Sequence, residues 1–256
     1  AEQPEDYYEW LRSLKVNWAG ITVDLFIESS MDSTVERNYG NVPNATFTDE
    51  VITEAIRGFK RHNLNVYFTF SINTQLAVQS EYPVHRWQLG DPDMPNQDSN
   101  INSENWPWDP DHPVHEAYVE SFWDSYTQEA VYFARICESE GVELYAPGAE
   151  LDRLFRTRSG GRWPNNYKTY LQAMVDSVRS VYSGLVSYEM HWSALGYNEF
   201  DPGSDHLWED LGLDVIGISA YFKLSEEVPT SVMTVSELEE KWEGVFNQYL
   251  IPLKNY

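Results

Sequence analysis

Five short apolar runs alternate with amphipathic segments along the chain, and this alternation restricts the fold more than any other feature of the sequence. The apolar runs predict β-strands at 17–26, 65–72, 142–149, 185–192 and 214–221. The amphipathic segments predict helices at 4–14, 49–62, 113–140, 164–182, 204–211 and 234–249. Strands that alternate with helices form βαβ units around a parallel sheet. We therefore expect an α/β fold, with residues 1–256 as a single domain.

Two predicted strands are followed by long irregular segments, 27–46 and 73–112, which exceed ordinary connections in a compact domain. Long loops at the carboxyl ends of parallel strands are typical of a (β/α)8 barrel, whose active site they build. No glycine-rich phosphate loop follows the first strand, which argues against a nucleotide-binding doubly wound sheet. The sequence therefore predicts a TIM-type barrel that is incomplete in this chain, with five βα units visible. Thr48 also begins a capping-box pattern, T-D-E-V, before the second helix.

The composition limits the partners of the protein. Its 41 acidic residues outweigh 17 Lys and Arg, which gives a formal net charge of −24, and such a surface repels phosphate backbones. We therefore expect no nucleic-acid partner, and no apolar stretch is long enough to predict a membrane span. The single cysteine, Cys137, excludes an intramolecular disulfide and the usual zinc patterns, and we predict no metal or cofactor. The chain shows no signal peptide, and a bacterial secreted or periplasmic location stays open.

Within the predicted strands, aliphatic residues alternate with small or polar ones, and we assign the small or polar side to the barrel interior. On this side all five strands end in a polar residue: Asp24, Asn73, Glu150, His191 and Tyr221. The carboxyl ends of parallel strands meet at one rim. Solvated strand ends are the alternative explanation, but five polar ends at one rim favour a functional site.

Four tryptophans lie in or beside the predicted rim loops: Trp87, Trp106, Trp108 and Trp192. Exposed indoles can stack on the C–H faces of sugar rings, which bury area against the flat aromatic face. The alternative is a hydrophobic cluster that caps the barrel mouth. We predict that Trp106, Trp108 and Trp192 contact a sugar substrate, together with Asp24, Asn73, His191 and Tyr221.

The apolar run 142–149 stops at Glu150, and Asp152 and Arg153 follow directly. One interpretation is a strand that reaches the surface and is followed by solvated residues. The other is a catalytic acid mounted on the rim. Asp24 and Glu189 are the other acidic residues predicted to face inward, and Glu189 is expected to support the site rather than to act as a nucleophile.

Four stretches resemble the glycoside hydrolases of family 113, which contains endo-β-mannanases and lies within clan A: ELYAPGAEL, LVSYEMHW, LDVIGISAYFKLSEE and SELEEKW. The similarity extends from about Leu14 to Tyr249. The resemblance implies a (β/α)8 barrel and a retaining hydrolase that acts on a β-linked polysaccharide of the mannan type. It also implies that Glu150, on the fourth strand of the family's barrel, is the acid/base and that Tyr221 supports the nucleophile.

The sequence departs from this family pattern at two points. Ala149 stands where many clan members have an Asn that contacts the sugar. The family's nucleophile is a Glu that ends the seventh strand, and no residue here matches it, because the five visible strands match the second to the sixth. Two hypotheses follow: a hydrolase, or a non-catalytic carbohydrate-binding barrel that lacks the nucleophile. We also expect self-association through the open sheet edges, at 17–26 and 214–221.

Overall fold

Five parallel strands form one sheet, in the order β1-β2-β3-β4-β5. The computed structural model describes residues 5–28, 32–40, 45–74, 85–97, 106–156, 167–192, 207–225 and 231–253. The strands are β1 (Trp18–Phe26), β2 (Asn65–Asn73), β3 (Leu144–Ala146), β4 (Leu185–His191) and β5 (Val215–Ser219). All four neighbouring pairs are parallel. The five predicted strands and the parallel α/β arrangement are therefore confirmed.

Six of the described helices lie close to their predicted positions, and two short ones, at 94–97 and 251–253, were not predicted. The helices are α1 (Glu5–Ser13), α2 (Asp49–Arg61), α3 (Met94–Gln97), α4 (His115–Glu140), α5 (Lys168–Arg179), α6 (Leu207–Asp210), α7 (Val235–Val245) and α8 (Ile251–Leu253). A 3₁₀ turn covers Arg86–Gln88, and a π-helical turn, Phe246–Leu250, joins α7 to α8. Residues 164–166 and 204–206 of the predicted helices lie outside the described residues. Within the described ranges, no helix combines the length and apolar character needed to cross a membrane.

The capping box predicted at Thr48 does not form. Thr48 is the N-cap of α2, but its side chain makes no capping hydrogen bond to the helix. The third helical position is Val51, which cannot return a hydrogen bond as Glu or Gln would. A reciprocal capping box forms instead at α7, between Thr234 and Glu237.

The two faces of the sheet have the different characters that the sequence predicts. On the helix side, Phe68 and Phe70 are fully buried and lie 5.5 and 6.0 Å, between ring centroids, from Phe133 of α4. The opposite face carries hydrogen bonds between polar side chains. Ser71 donates to Asp24 at 2.8 Å across the β1–β2 pair. The small or polar side of the strands therefore forms an interior polar network.

The sheet is open in the part of the chain that the structure describes. There β1 pairs with β2 alone and β5 pairs with β4 alone. Ile216, on β5, is 39% exposed, as is Trp18 at the start of β1. Partly exposed apolar residues on edge strands suit pairing with another chain, and self-association through these edges stays a prediction.

Candidate functional site

The charged stretch that follows β3 is buried. Glu150, Asp152, Arg153 and Arg156 each expose 6% or less of their surface. The interpretation of this stretch as a solvated strand end is therefore wrong. Burial of charged groups is costly unless they are paired, and Arg153 Nε lies 3.6 Å from Oδ2 of buried Asp91. The stretch is thus built around interactions with other parts of the chain.

Glu150 has a backbone conformation that is uncommon for its residue type. Its φ angle is 57°, in the left-handed region, where such a residue costs about 1–3 kcal/mol. The chain leaves the sheet after β3, passes through Gly148 at φ 141° and rejoins β4 at Ala149, opposite Glu189. There the Glu150 N–H donates to the Glu189 carbonyl at 2.7 Å. Backbone strain of this kind concentrates at functional sites.

The Glu150 carboxylate is paired with Arg86. The Nη2 and Nε groups of Arg86 donate to the same oxygen, Oε2, at 2.8 and 3.1 Å. The Arg86 side chain is 34% exposed and that of Glu150 is 8% exposed, so the pair lies where the interior meets solvent. Because both hydrogen bonds use Oε2, the other oxygen, Oε1, lies outside this pair.

Arg86 also lines a polar cleft of about 220 Å³ at the carboxyl ends of β1 and β2. Its walls are Asp24, Ile72, Asn73, Thr74, His85, Arg86 and Trp87. A carboxylate, an amide and a guanidinium in one cleft supply both acceptors and donors for hydroxyl groups. The cleft brings together two of the predicted substrate contacts, Asp24 and Asn73, and Arg86 connects them to Glu150.

His191, at the end of β4, extends the cluster on its other side. Its ring stacks on Trp87, with 5.0 Å between centroids and 21° between the planes, and Trp87 also stacks on His85 at 4.2 Å. Trp192 lies beside His191 at 5.8 Å and meets Phe222 edge-on at 6.0 Å. The structure therefore links His191 and Trp192 to the cleft through Trp87.

Trp106 and Trp108 are not exposed platforms, and that part of the sequence-based prediction is wrong. Both are fully buried. The Trp106 Nε1–H donates to the carbonyl of Asp91 at 2.8 Å, which anchors the segment 85–97. Trp108 packs edge-on against Tyr118 and Phe122, with centroids 5.0 and 5.1 Å away. Their segment folds back onto α4, so the indoles fill a core that the sequence did not reveal.

Tyr221 lies two residues beyond the end of β5 and is 77% exposed. Its N–H donates to the Ser219 carbonyl at 2.8 Å, which turns the chain away from the strand. Its role as a substrate contact or as support for a nucleophile stays a prediction. Residues 75–84 and 98–105 of the long predicted loop lie outside the described residues.

Asp152 is the second buried carboxylate of the turn. Its Oδ1 accepts from the backbone N–H of His191 at 3.0 Å and lies 3.4 Å from the Tyr188 hydroxyl. Burial raises the pKa of Asp152 to about 7. The His191 hydrogen bond opposes this rise, the Glu150 charge adds to it, and the charges of Arg153 and Arg156 oppose it.

Glu189 lies at the centre of the interior polar network. The Tyr67 hydroxyl donates to its Oε2 at 2.8 Å, and the Ser219 hydroxyl donates to its Oε1 at 2.6 Å. The buried position of Tyr67 and the Glu189 charge both raise the pKa of the Tyr67 phenol. Each carboxylate oxygen of Glu189 therefore has a hydroxyl donor, which agrees with the supporting role predicted from the sequence.

Sequence reasoning missed Arg86 and Asp152 as members of the site. Arg86 is the one Lys or Arg between residues 73 and 112, and a lone cation in an acidic loop was a usable signal. Asp152 had no such signal, because its burial depends on how the turn packs against β4. In the described part of the chain, His, Cys, Asp and Glu side chains form no group of three or more suited to holding a metal ion.

A parallel sheet with a buried rim glutamate beside a polar cleft fits the class of barrel glycosidases, which use carboxylates at this rim. Residues 100–250 match the model of Glycoside Hydrolase Family 113, which is more than half of the 256 residues. The chain belongs to this family, as its sequence motifs suggested. Comparison with curated proteins gives no match.

Solved structures of family 113 mannanases share the fold. One β-1,4-mannanase superposes with a TM-score of 0.59 at 17% identity, covering 96% of this chain and 62% of its own. A β-1,4-mannanase complex gives 0.57 at 16% identity, with the same coverage. The β-mannanase of Alicyclobacillus acidocaldarius in complex with ManMIm gives 0.53 at 16% identity, covering 86% and 57%. The chain thus spans less than two thirds of these structures, and the expected TIM-barrel fold class is confirmed.

Proposed function

We propose that this chain is a glycoside hydrolase-like barrel that acts on or binds a β-linked polysaccharide of the mannan type, and that Glu150 is the general acid/base of a retaining mechanism. The family and the fold of the mannanases support the reaction class. The observation that carries the residue assignment is the buried Glu150 carboxylate, held at the carboxyl end of the sheet beside a cleft lined by Asp24 and Asn73.

Under this proposal the side chains around Glu150 have different tasks. As the acid, Glu150 donates a proton to the leaving glycosidic oxygen, and as the base it then takes a proton from water. Because Arg86 bonds only to Oε2, Glu150 has to carry that proton on Oε1, unless the pair with Arg86 opens. Asp24 and Asn73 can accept and donate hydrogen bonds with sugar hydroxyls in the cleft.

Retention requires a second carboxylate about 5–5.5 Å from the first. The neighbouring carboxylates are already engaged: Asp24 accepts from Ser71, Glu189 accepts from Tyr67 and Ser219, and Asp152 accepts from the His191 N–H. We therefore assign none of them as the nucleophile. The chain supplies the acid/base half of the reaction and one wall of the sugar site.

A non-catalytic carbohydrate-binding barrel is the second candidate, and the Arg86 pair favours it. Two charge-assisted hydrogen bonds hold Glu150 as an acceptor, which suits a binding site better than an acid poised to donate. The same cleft can bind a sugar without cleaving it.

Incubation of the purified chain with β-1,4-manno-oligosaccharides and β-1,4-gluco-oligosaccharides, with calorimetric binding in parallel, separates these functions. Turnover of the manno series establishes the hydrolase. Binding without turnover supports the binding protein. Absence of both binding and turnover contradicts both proposals.

The tryptophans provide a matched test of where sugar binds. Trp192 is partly exposed beside His191, whereas Trp108 is fully buried. We expect Trp192→Ala to weaken manno-oligosaccharide binding by roughly 2- to 12-fold, equivalent to about 0.5–1.5 kcal/mol for one aromatic contact. Trp108→Ala should instead lower the melting temperature and leave the affinity of the folded protein unchanged. A loss of affinity in the Trp108 variant alone would contradict this arrangement.

A further inference from the structure

Three consecutive residues after β3 are each bonded to β4. The N–H of Glu150 donates to the Glu189 carbonyl at 2.7 Å, and the N–H of Leu151 donates to the Tyr188 hydroxyl at 2.7 Å. The Asp152 carboxylate accepts from the His191 N–H at 3.0 Å. We call residues 150–152 the acid turn. Its geometry is fixed by β4 along its whole length.

Two of these three bonds depend on a side chain, and Tyr188 supplies the more specific one. Its ring is fully buried on the helix side of the sheet and stacks on Phe155 at 3.9 Å, with 12° between the planes. The hydroxyl accepts from Leu151 and lies 3.4 Å from Asp152 Oδ1 as a donor. A Phe at this position would keep the ring packing and remove both polar contacts.

The bond to Leu151 acts directly on the backbone of Glu150. The amide that Tyr188 holds is the one that follows the strained φ angle of 57° at Glu150. A glutamate keeps a left-handed backbone conformation only when surrounding interactions hold it there. One such interaction is the hydrogen bond from the buried Leu151 N–H to the Tyr188 oxygen. Loss of that acceptor leaves a buried donor unsatisfied and favours relaxation of the turn.

We propose that Tyr188 is a positioning residue for Glu150: its buried hydroxyl fixes the acid turn and so sets the direction in which the Glu150 carboxylate points. This inference rests on the proposed function for its catalytic consequence, whereas the positioning itself does not require turnover. Tyr188 acts through the backbone and does not touch the substrate.

The test is Tyr188→Phe, with Tyr182→Phe as the matched control. Tyr182 is also buried, and its hydroxyl donates to the Val142 carbonyl at 2.9 Å, near the opposite end of the sheet. Both variants lose one buried hydroxyl and keep the ring. In Tyr188→Phe we expect amide hydrogen exchange at residues 150–152 to accelerate at least tenfold relative to wild type, with no such change in Tyr182→Phe. Unchanged protection of these amides in folded Tyr188→Phe overturns the proposal.

Asp152 provides a second pair of variants should Tyr188→Phe fold poorly. Asp152→Ala removes the acceptor of the His191 N–H, and Asp152→Asn keeps an oxygen in its place. Faster exchange of the His191 and Glu150 amides in Asp152→Ala, together with a return to the wild-type exchange rate in Asp152→Asn, supports fixation of the turn by β4. If the His191 and Glu150 amides are as well protected in Asp152→Ala as in Asp152→Asn, fixation of the turn by β4 is overturned.

Activity measurements separate this inference from the proposed function. On manno-oligosaccharides, Tyr188→Phe should lower kcat at least tenfold relative to Tyr182→Phe, with KM unchanged. Equal kcat values overturn the catalytic consequence. Absence of turnover in the wild-type protein contradicts the proposed hydrolase function, and the exchange experiment still decides whether Tyr188 fixes the turn.

Discussion

Replacement of Glu150 by Gln is expected to abolish most turnover of substrates with poor leaving groups and to leave sugar binding in place. The amide keeps the shape of the side chain but cannot donate an acidic proton, and general acid catalysis contributes on the order of 10²–10⁴-fold. The loss should be smaller for aryl β-mannosides with acidic leaving groups, because these depart without protonation. Initial rates on both substrate classes, with affinity from calorimetry, check this expectation.

Glu143→Gln is the matched control for Glu150→Gln. Glu143 precedes β3 at the opposite end of the sheet and pairs with Lys60 at 2.6 Å, much as Glu150 pairs with Arg86. The control removes an ion-paired carboxylate without touching the candidate site, so it should keep wild-type rates. Equal rates in the two variants would remove Glu150 from the mechanism.

The sequence predicted the fold well, because hydrophobic periodicity is a local property. Strand β2 was expected at 65–72 and extends over Asn65–Asn73, and α4 was expected at 113–140 and extends over His115–Glu140. The polar face was also predictable, since Asp24 and Ser71 both belong to the small or polar side of their strands, which are neighbours in the sheet. The prediction for β3 was too long, because the chain leaves the sheet at Pro147 and Gly148.

The site was predictable only in part, because burial in loops depends on contacts that are distant in sequence. Glu150, His191 and Trp192 could be predicted because they lie at or beside the ends of predicted strands, and the hydrophobic pattern of the sequence shows where strands end. Trp106 and Trp108 have the residue type expected of an exposed sugar platform, yet both are buried: Trp108 packs on α4, and Trp106 holds the segment 85–97. The contacts around these two tryptophans, rather than their residue type, determine that they are buried in the core.

Asp152 was not foreseen, and it makes the stability of the protein depend on pH in an uncommon direction. Burial raises its pKa from the ordinary value of 3.8 to about 7 in the folded state. Between these values the folded protein binds a proton that the unfolded chain has released. The free energy of unfolding therefore falls as pH rises from about 4 to about 7. The free energy of unfolding lost over this pH range is on the order of 4 kcal/mol, because one pH unit corresponds to about 1.4 kcal/mol.

Asp152→Asn should remove this contribution. An amide oxygen can still accept from the His191 N–H, and it carries no charge to bury. We expect the variant to gain stability relative to wild type as pH rises, with a difference on the order of several kcal/mol at pH 8 and little or no gain at pH 4. Chemical denaturation of both proteins at pH 4, 6 and 8 measures this difference directly.

Asp214→Asn is the control with the opposite sign. Burial alone would raise the pKa of Asp214, but the Val186 N–H and the Arg179 side chain, each at 2.8 Å, lower it below the ordinary value. Its stabilising contribution is present above the unfolded pKa and is lost as pH falls through the folded one. Asp214→Asn should therefore be less stable than wild type at neutral pH and approach it in acid. A difference between Asp152→Asn and wild type that stays constant from pH 4 to pH 8 would mean that Asp152 titrates normally, and the buried carboxylate of the acid turn would then be ionised at little cost.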